Sequence, residues 1–154
     1  MKRVSWLSHA LCGLLPLTFL GPTTASAADE GNPTPVYVIH NCDDDPVGTQ
    51  VVFKFKEAVR RSSRFKTVPT YDDATFSVSF VCLEPSETEK GSWSHFAFTI
   101  TFFNPNWRYD YLIANAVNRC GADRVAICAD SILAGLDSKF DEVAAELKSA
   151  PAKE

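Results

Sequence analysis

Within 154 residues, five cysteines, three histidines and one run of three aspartates (Asp43 to Asp45) are the candidates for nucleophile, base or metal ligand. Nucleophilic hydrolysis needs a serine or cysteine held beside a base, and no G-x-S-x-G elbow or comparable turn occurs. Phosphate-binding loops and zinc-protease signatures are absent as well. Cys12 and His9 lie in an apolar leader, so the working inventory is Cys42, Cys82, Cys120, Cys128, His40 and His95. The four cysteines are even in number and spaced unlike a zinc pair, which reads as two disulfides in an exported chain. His40 reads as a hydrogen-bonded structural residue on a central strand. His95 reads as an exposed imidazole near a strand start, with general-base chemistry as its alternative role. The aspartate run would suit a hard cation, but it lacks alternating ligands, a central glycine and a distal glutamate. It is expected to be an acidic turn, and no metal or cofactor is expected.

The leader sets the compartment. Lys2 and Arg3 precede an uncharged apolar stretch from Ala10 to Gly21, and Ala25-Ser26-Ala27 supplies a small-x-small cleavage pattern. The apolar stretch is too short to span a bilayer, so residues 1–27 read as a secretory signal cleaved after Ala27. Cleavage leaves 127 residues, enough for one hydrophobic core, and the loss of Lys2 and Arg3 takes the net charge from −4 to −6. That mild acidity argues against a nucleic-acid binder. No transmembrane segment is expected in the mature chain, which places it in the periplasm or outside the cell.

The elements that position these residues follow from periodicity. Residues 28–35 (ADEGNPTP) read as a flexible leader to a single domain over 36–148, and 149–154 as a frayed tail. Val36 to Cys42 is a strand rich in β-branched and aromatic residues. Gly48 and Thr49 open a helix that runs to about Ser62, with Val52, Phe55 and Val59 on one face. Arg64 to Val68 is extended. Ala74 to Cys82 alternates Phe76, Val78, Phe80 and Cys82 with Thr75, Ser77, Ser79 and Val81, and Ser92 to Phe103 alternates Phe96, Phe98, Ile100 and Phe102 with His95, Ala97, Thr99 and Thr101. These two strands are expected to pair as an antiparallel hairpin. Trp107 to Arg119 is open to a strand or a helix, the strand being favoured after the Asn104-Pro105-Asn106 turn. Asp123 to Lys148 is helical, with Val125, Ala129, Ile132, Leu136, Phe140 and Val143 at helical spacing.

The expected order is β-α-β-β-(β)-α, an α+β two-layer sandwich in which two helices cover one face of a three- to four-stranded mixed sheet. Because the first helix serves as a crossover, the first two long strands run parallel and bring Cys42 and Cys82 to one edge. Of the three possible connectivities this favours Cys42 with Cys82, and Cys120 with Cys128 across the start of the last helix.

A helix followed by Ser63-Arg64-Phe65-Lys66-Thr67-Val68 and then Asp73-Ala74-Thr75-Phe76-Ser77-Val78 resembles the amino-terminal domain of TolB and similar small domains of bacterial envelope lipoproteins. The resemblance covers about residues 36–103 and is a packing pattern without a catalytic residue. It implies an adaptor or interaction module of the cell envelope.

Three surfaces are candidates for such a role. The outward face of the hairpin, with Ser79 and Thr99 at its centre and His95 near one end, is built of small hydroxyl side chains. Trp93 and Trp107 sit in an aromatic cluster near the strand ends, where amphipathic rings favour partner contacts. The outer side of the first helix and the segment after it hold Lys54, Lys56, Arg60, Arg61, Arg64 and Lys66 against Glu57. That cationic side could meet lipid phosphate or an acidic partner. The sequence therefore points to a non-catalytic binding module whose partner is a protein or an anionic envelope component. The alternative is a small secreted enzyme or hydrolase inhibitor.

Overall fold

A computed structural model describes residues 32–83, 86–88, 90–104 and 110–149. The proposed signal (1–27), the first half of the leader (28–31), Trp107 and the last five residues lie outside them, and Thr34 and Pro35, read from the sequence as leader, already belong to the first strand.

The chain runs β1 (Thr34–Asn41), α1 (Pro46–Arg61), β2 (Phe65–Thr67), β3 (Phe76–Leu83), β4 (Trp93–Phe102), β5 (Tyr111–Gly121) and α2 (Val125–Ser149). The strands form one mixed sheet in the order β2-β1-β3-β4-β5. β1 is parallel to both β2 and β3, while β3–β4 and β4–β5 are antiparallel. The α+β class, the parallel β1–β3 pair and the hairpin match the sequence expectation. The strand count does not: the sheet has five strands rather than three or four, and the order is β-α-β-β-β-β-α. The additional strand is β2, which the sequence marked only as extended. Three residues show no alternation to detect, and β2 exists because Thr34, Pro35 and Val36 of β1 lie in register with Phe65, Lys66 and Thr67. Tyr111–Gly121 resolves the uncertain segment as a strand.

α1 begins two residues earlier than its periodicity suggested, because Asp45 caps it. One Asp45 carboxylate oxygen accepts from the backbone N–H groups of Val47 and Gly48, both at 3.0 Å, and Pro46 occupies the first turn, where its missing N–H costs nothing. Thr49 adds a tie by donating its hydroxyl to the Cys42 carbonyl at 2.7 Å. The aspartate run is thus an acidic turn with a buried capping residue. At the other end the Ser62 N–H reaches the carbonyls of Ala58 and Val59, and Arg60 and Arg61 sit favourably against the negative end of the helix dipole.

The core lies between the helices and one face of the sheet. Its sheet members, Val36, Val38, Phe76, Val78, Phe80, Phe96, Phe98, Ile100 and Phe102, share one parity in the strand registers. Val51, Val52, Phe55 and Val59 of α1 and Ala129, Ile132 and Leu136 of α2 pack into the same cluster, so both helices cover the same face. Rings interlock across it: Phe55 on Phe80 at 5.5 Å, Phe76 on Phe102 at 5.3 Å, and Phe65 on Phe140 at 5.7 Å between centroids. Disulfides Cys42–Cys82 and Cys120–Cys128 join the expected pairs. The first ties the C-terminal ends of two parallel strands, and the second pins the first turn of α2 to the end of β5.

Candidate functional site: the helix-free face of the sheet

With both helices on one face, the other is left to side chains of opposite parity. The registers arrange them in rows across the sheet: Tyr37, Ser77, Thr101, Leu112; then Ile39, Ser79, Thr99, Asn115; then Asn41, Val81, Ala97, Val117; then Leu83, His95, Arg119. Ser79, Thr99 and His95 are therefore brought together on one face, as the alternation of β3 and β4 required.

Its composition differs from expectation. The centre is hydroxyl-rich, but β1, β3 and β5 contribute Ile39, Val81 and Val117, which are 47%, 48% and 76% exposed. Leu83, Leu112 and Trp93 are exposed on the same face. Isolated exposed aliphatics are ordinary, whereas here several share one helix-free face. The signal for Ile39 was available, because Tyr37, Ile39 and Asn41 alternate with Val36, Val38 and His40. The signal for Val117 was not, since a bulge between Ile100 and Thr101 shifts the β4–β5 register and breaks the alternation of β5.

One end of the face is closed by an aromatic corner. Tyr71 packs edge-on against Tyr37, with ring centroids 6.0 Å apart, and leans on Phe103. Its hydroxyl donates to Asp110 and it also bonds Thr101, so it bridges from the β1 side of Ser77 to the β4 side. Ser77 is accordingly buried rather than open. Desolvation, reinforced by the Asp110 carboxylate, pushes the Tyr71 phenol up to about 12. At the other end Arg119 stacks over the Trp93 ring at 4.1 Å, a rim that pairs a cation with an amphipathic aromatic beside His95.

The cationic candidates lie in the helix layer. Arg60 and Arg61 are exposed on the last turn of α1. Arg64 instead faces α2: its guanidinium pairs with Asp137 at 3.1 Å and with Asp141, and it covers the Phe140 ring at 4.6 Å. Those two carboxylates raise its already high pKa, Asp141 contributing most. Lys54 pairs with Glu57 at 2.8 Å and, through that hydrogen bond, holds the glutamate below its usual range. The cationic side of α1 therefore narrows to Lys56, Arg60 and Arg61, beside an exposed Phe53, while exposed Lys66 sits apart on β2.

Concavities are present on the surface of the described residues as well. A polar cleft of about 200 Å³ lies at the acidic turn around the Cys42–Cys82 bridge. A larger apolar hollow of about 420 Å³ opens between the start of β1 and the last turns of α2, lined by Phe76, Phe102, Phe140, Val143 and Leu147. His40 has Asp43 at 3.9 Å, but its Nδ1 has no hydrogen-bond partner among the described residues. The four cysteines of the domain are paired, which removes thiol chemistry while the bridges stand.

No protein-family model and no curated protein matches the sequence. Among solved structures, the hypothetical protein CT253 from Chlamydia trachomatis aligns over 58% of this chain and 72% of its own, at 10% identity and a TM-score of 0.35, and at that level of likeness neither fold nor function transfers.

Proposed function

We propose that this protein is a non-catalytic binding module of the bacterial cell envelope, periplasmic or secreted, that engages a protein partner through the helix-free face of its sheet. The observation that carries the reading is that face itself, where exposed Ile39, Val81 and Val117 flank hydroxyls on a five-stranded sheet. Small hydroxyl side chains let a partner approach closely at little entropic cost, and the aliphatics supply apolar area to bury. They supply no acid, base or nucleophile. Two disulfides fit an oxidising compartment, and among the described residues no helix is long and apolar enough to cross a membrane. The adaptor role implied by the TolB-like pattern agrees with this reading.

Crosslinking pull-down from envelope extract tests it. Ser79→Arg and Thr99→Arg place a long cation in the middle row of the face and should abolish recovery of the partner, while the melting temperature stays within a few degrees. Recovery undiminished by both changes refutes the assignment and leaves the Arg60 and Arg61 side of α1 as the next surface. A turnover abolished by His95→Ala in a folded protein would replace the binding reading with the enzymatic one.

A further inference from the structure

The two edges of the sheet are treated differently by the sequence. A sheet edge exposes unpaired N–H and C=O groups, and proteins blunt it with short strands, lysines, prolines or a covering element. β2 carries three such devices: it is three residues long, it bears Lys66, and Pro69 follows two residues after its end. β5 is the longest strand, with 11 residues, contains neither proline nor lysine, and has β4 as its one strand neighbour among the described residues. Its single charged side chain is Arg119. The irregularity between Ile100 and Thr101 disturbs only its beginning, so the register runs unbroken from Ala114 to Gly121. Exposed apolar side chains flank this edge, with Val117 and Leu112 on the strand and Ile127 beside Cys128, where α2 is bridged to Cys120.

We propose that β5 is the seam of a homodimer, in which two copies pair β5 to β5, antiparallel, about a two-fold axis at Val117. A two-fold axis normal to the sheet must centre the pairing on a single residue, and with Val117 there Ala114 to Cys120 pair with themselves, so an isologous pair centred on it aligns all of the regular stretch but Gly121 with no slip. In that register Val117 meets its own symmetry mate, the most exposed large apolar side chain among the described residues closing on itself. Asn115 falls opposite Arg119 of the second copy, twice per dimer, which sets an amide against a guanidinium and keeps the two arginines apart. A two-fold axis normal to the sheet makes it continuous over ten strands, with all four helices on one side. The row Asn41, Val81, Ala97, Val117 then runs on into its counterpart. A second copy is favoured over an unrelated peptide because β5 is the one edge of matching length and its charges do not oppose each other in this pairing.

Sedimentation equilibrium of the oxidised protein from about 1 to 100 μM is the test. The expected result is a concentration-dependent doubling of mass, with Val117→Lys raising the dissociation constant at least tenfold by facing two ammonium groups. Asn115→Lys should also weaken the dimer, and Asn115→Asp should tighten it by pairing with Arg119 across the seam. Unchanged circular dichroism and complete disulfides confirm that these exposed substitutions fold. Ser79→Arg, two strands away, should leave the mass doubled while disrupting partner capture, so the two proposals fail separately. A monomer throughout the range, or a dimer indifferent to both lysine variants, overturns the seam. So does slow amide exchange along β5 in a monomer, which would mean that something other than a second copy covers the edge.

Discussion

Gly48 is where a single methyl group should do the most damage. It lies in the first turn of α1, where replacing glycine by alanine ordinarily gains up to about 1 kcal/mol by restricting the unfolded chain. Here a Cβ would lie 2.4 Å from Cys82 Sγ, 2.9 Å from Asp45 Oδ2 and 3.0 Å from Ser94 Oγ. The sulfur contact is 1 Å shorter than the 3.4 Å at which ordinary contact begins, and Sγ cannot swing away because it is bonded to Cys42. Asp45 cannot move freely either, since its other oxygen caps the helix. Overpacking of this kind costs about 1 to 3 kcal/mol, and a displaced cap adds about 1 kcal/mol. Net of the alanine gain, Gly48→Ala should therefore destabilise the domain by roughly 1 to 4 kcal/mol, read as a fall in the denaturation midpoint and a melting temperature lower by about 5 °C or more. Removing the closest neighbour provides the control: in a Cys42→Ala, Cys82→Ala background the same change should cost at least ~1 kcal/mol less. A Gly48→Ala protein as stable as the parent would mean that the bridge does not press on the first turn of α1, and the packing described for that corner would be wrong.

The two bridges should differ in worth. Cys42–Cys82 spans 40 residues and Cys120–Cys128 spans 8, so loop-closure entropy assigns them about 4 and about 2.5 kcal/mol. Equilibrium denaturation of the two double-alanine variants checks the order, and a larger loss from the short loop would refute an entropic origin. Tyr71, with a pKa raised from 10.0 to about 12, holds its proton more tightly folded than unfolded. Its contribution is complete below pH 10 and disappears as the pH rises through about 12. Absorbance titration should show one late-ionising tyrosine that vanishes in Tyr71→Phe, and that variant should lose less of its melting temperature across the same interval. Unchanged titration curves in the variant would contradict the burial of the aromatic corner.

How much of this was legible in the sequence depends on which forces act locally. β3 and β4 declare themselves because one face is buried and the period is two, so Phe76, Phe80, Phe98 and Phe102 fix the parity and place Ser79 and Thr99 opposite. The disulfide pairing followed from the same logic, since a helical crossover forces β1 and β3 parallel. Phe65 to Thr67 becomes a strand only through pairing with β1, a tertiary effect without a local signature. Arg64 is similar: its position after α1 suggests a surface cation, and only the packing of α2 brings Asp137 and Asp141 to it. The apolar share of the open face was hidden for a different reason, because the bulge puts Leu112 and Val117 on one face at an odd spacing.

The same construction ties down the helix-free face, which has no second layer over it among the described residues. β1 and β3 are locked to each other at their C-terminal ends by Cys42–Cys82, and that bridge abuts the capped start of α1 at Gly48. β4 joins through interlocked rings on the core side, and β5 is held by the Cys120–Cys128 tie to α2. Each of the four strands that supply the face is thereby anchored from behind or at its end, so Ser79, Thr99 and the aliphatics around them need no packing of their own to stay in place. On the binding reading proposed above, a surface fixed in this way would meet its partner with little ordering of its own, so the entropy lost on association would fall mainly on the partner's side chains. If that is so, replacing the Cys42–Cys82 pair should weaken partner capture even at temperatures where the reduced-stability variant remains folded. Replacing Arg64, whose guanidinium contacts Asp137, Asp141 and Phe140 in the helix layer, should leave capture unchanged.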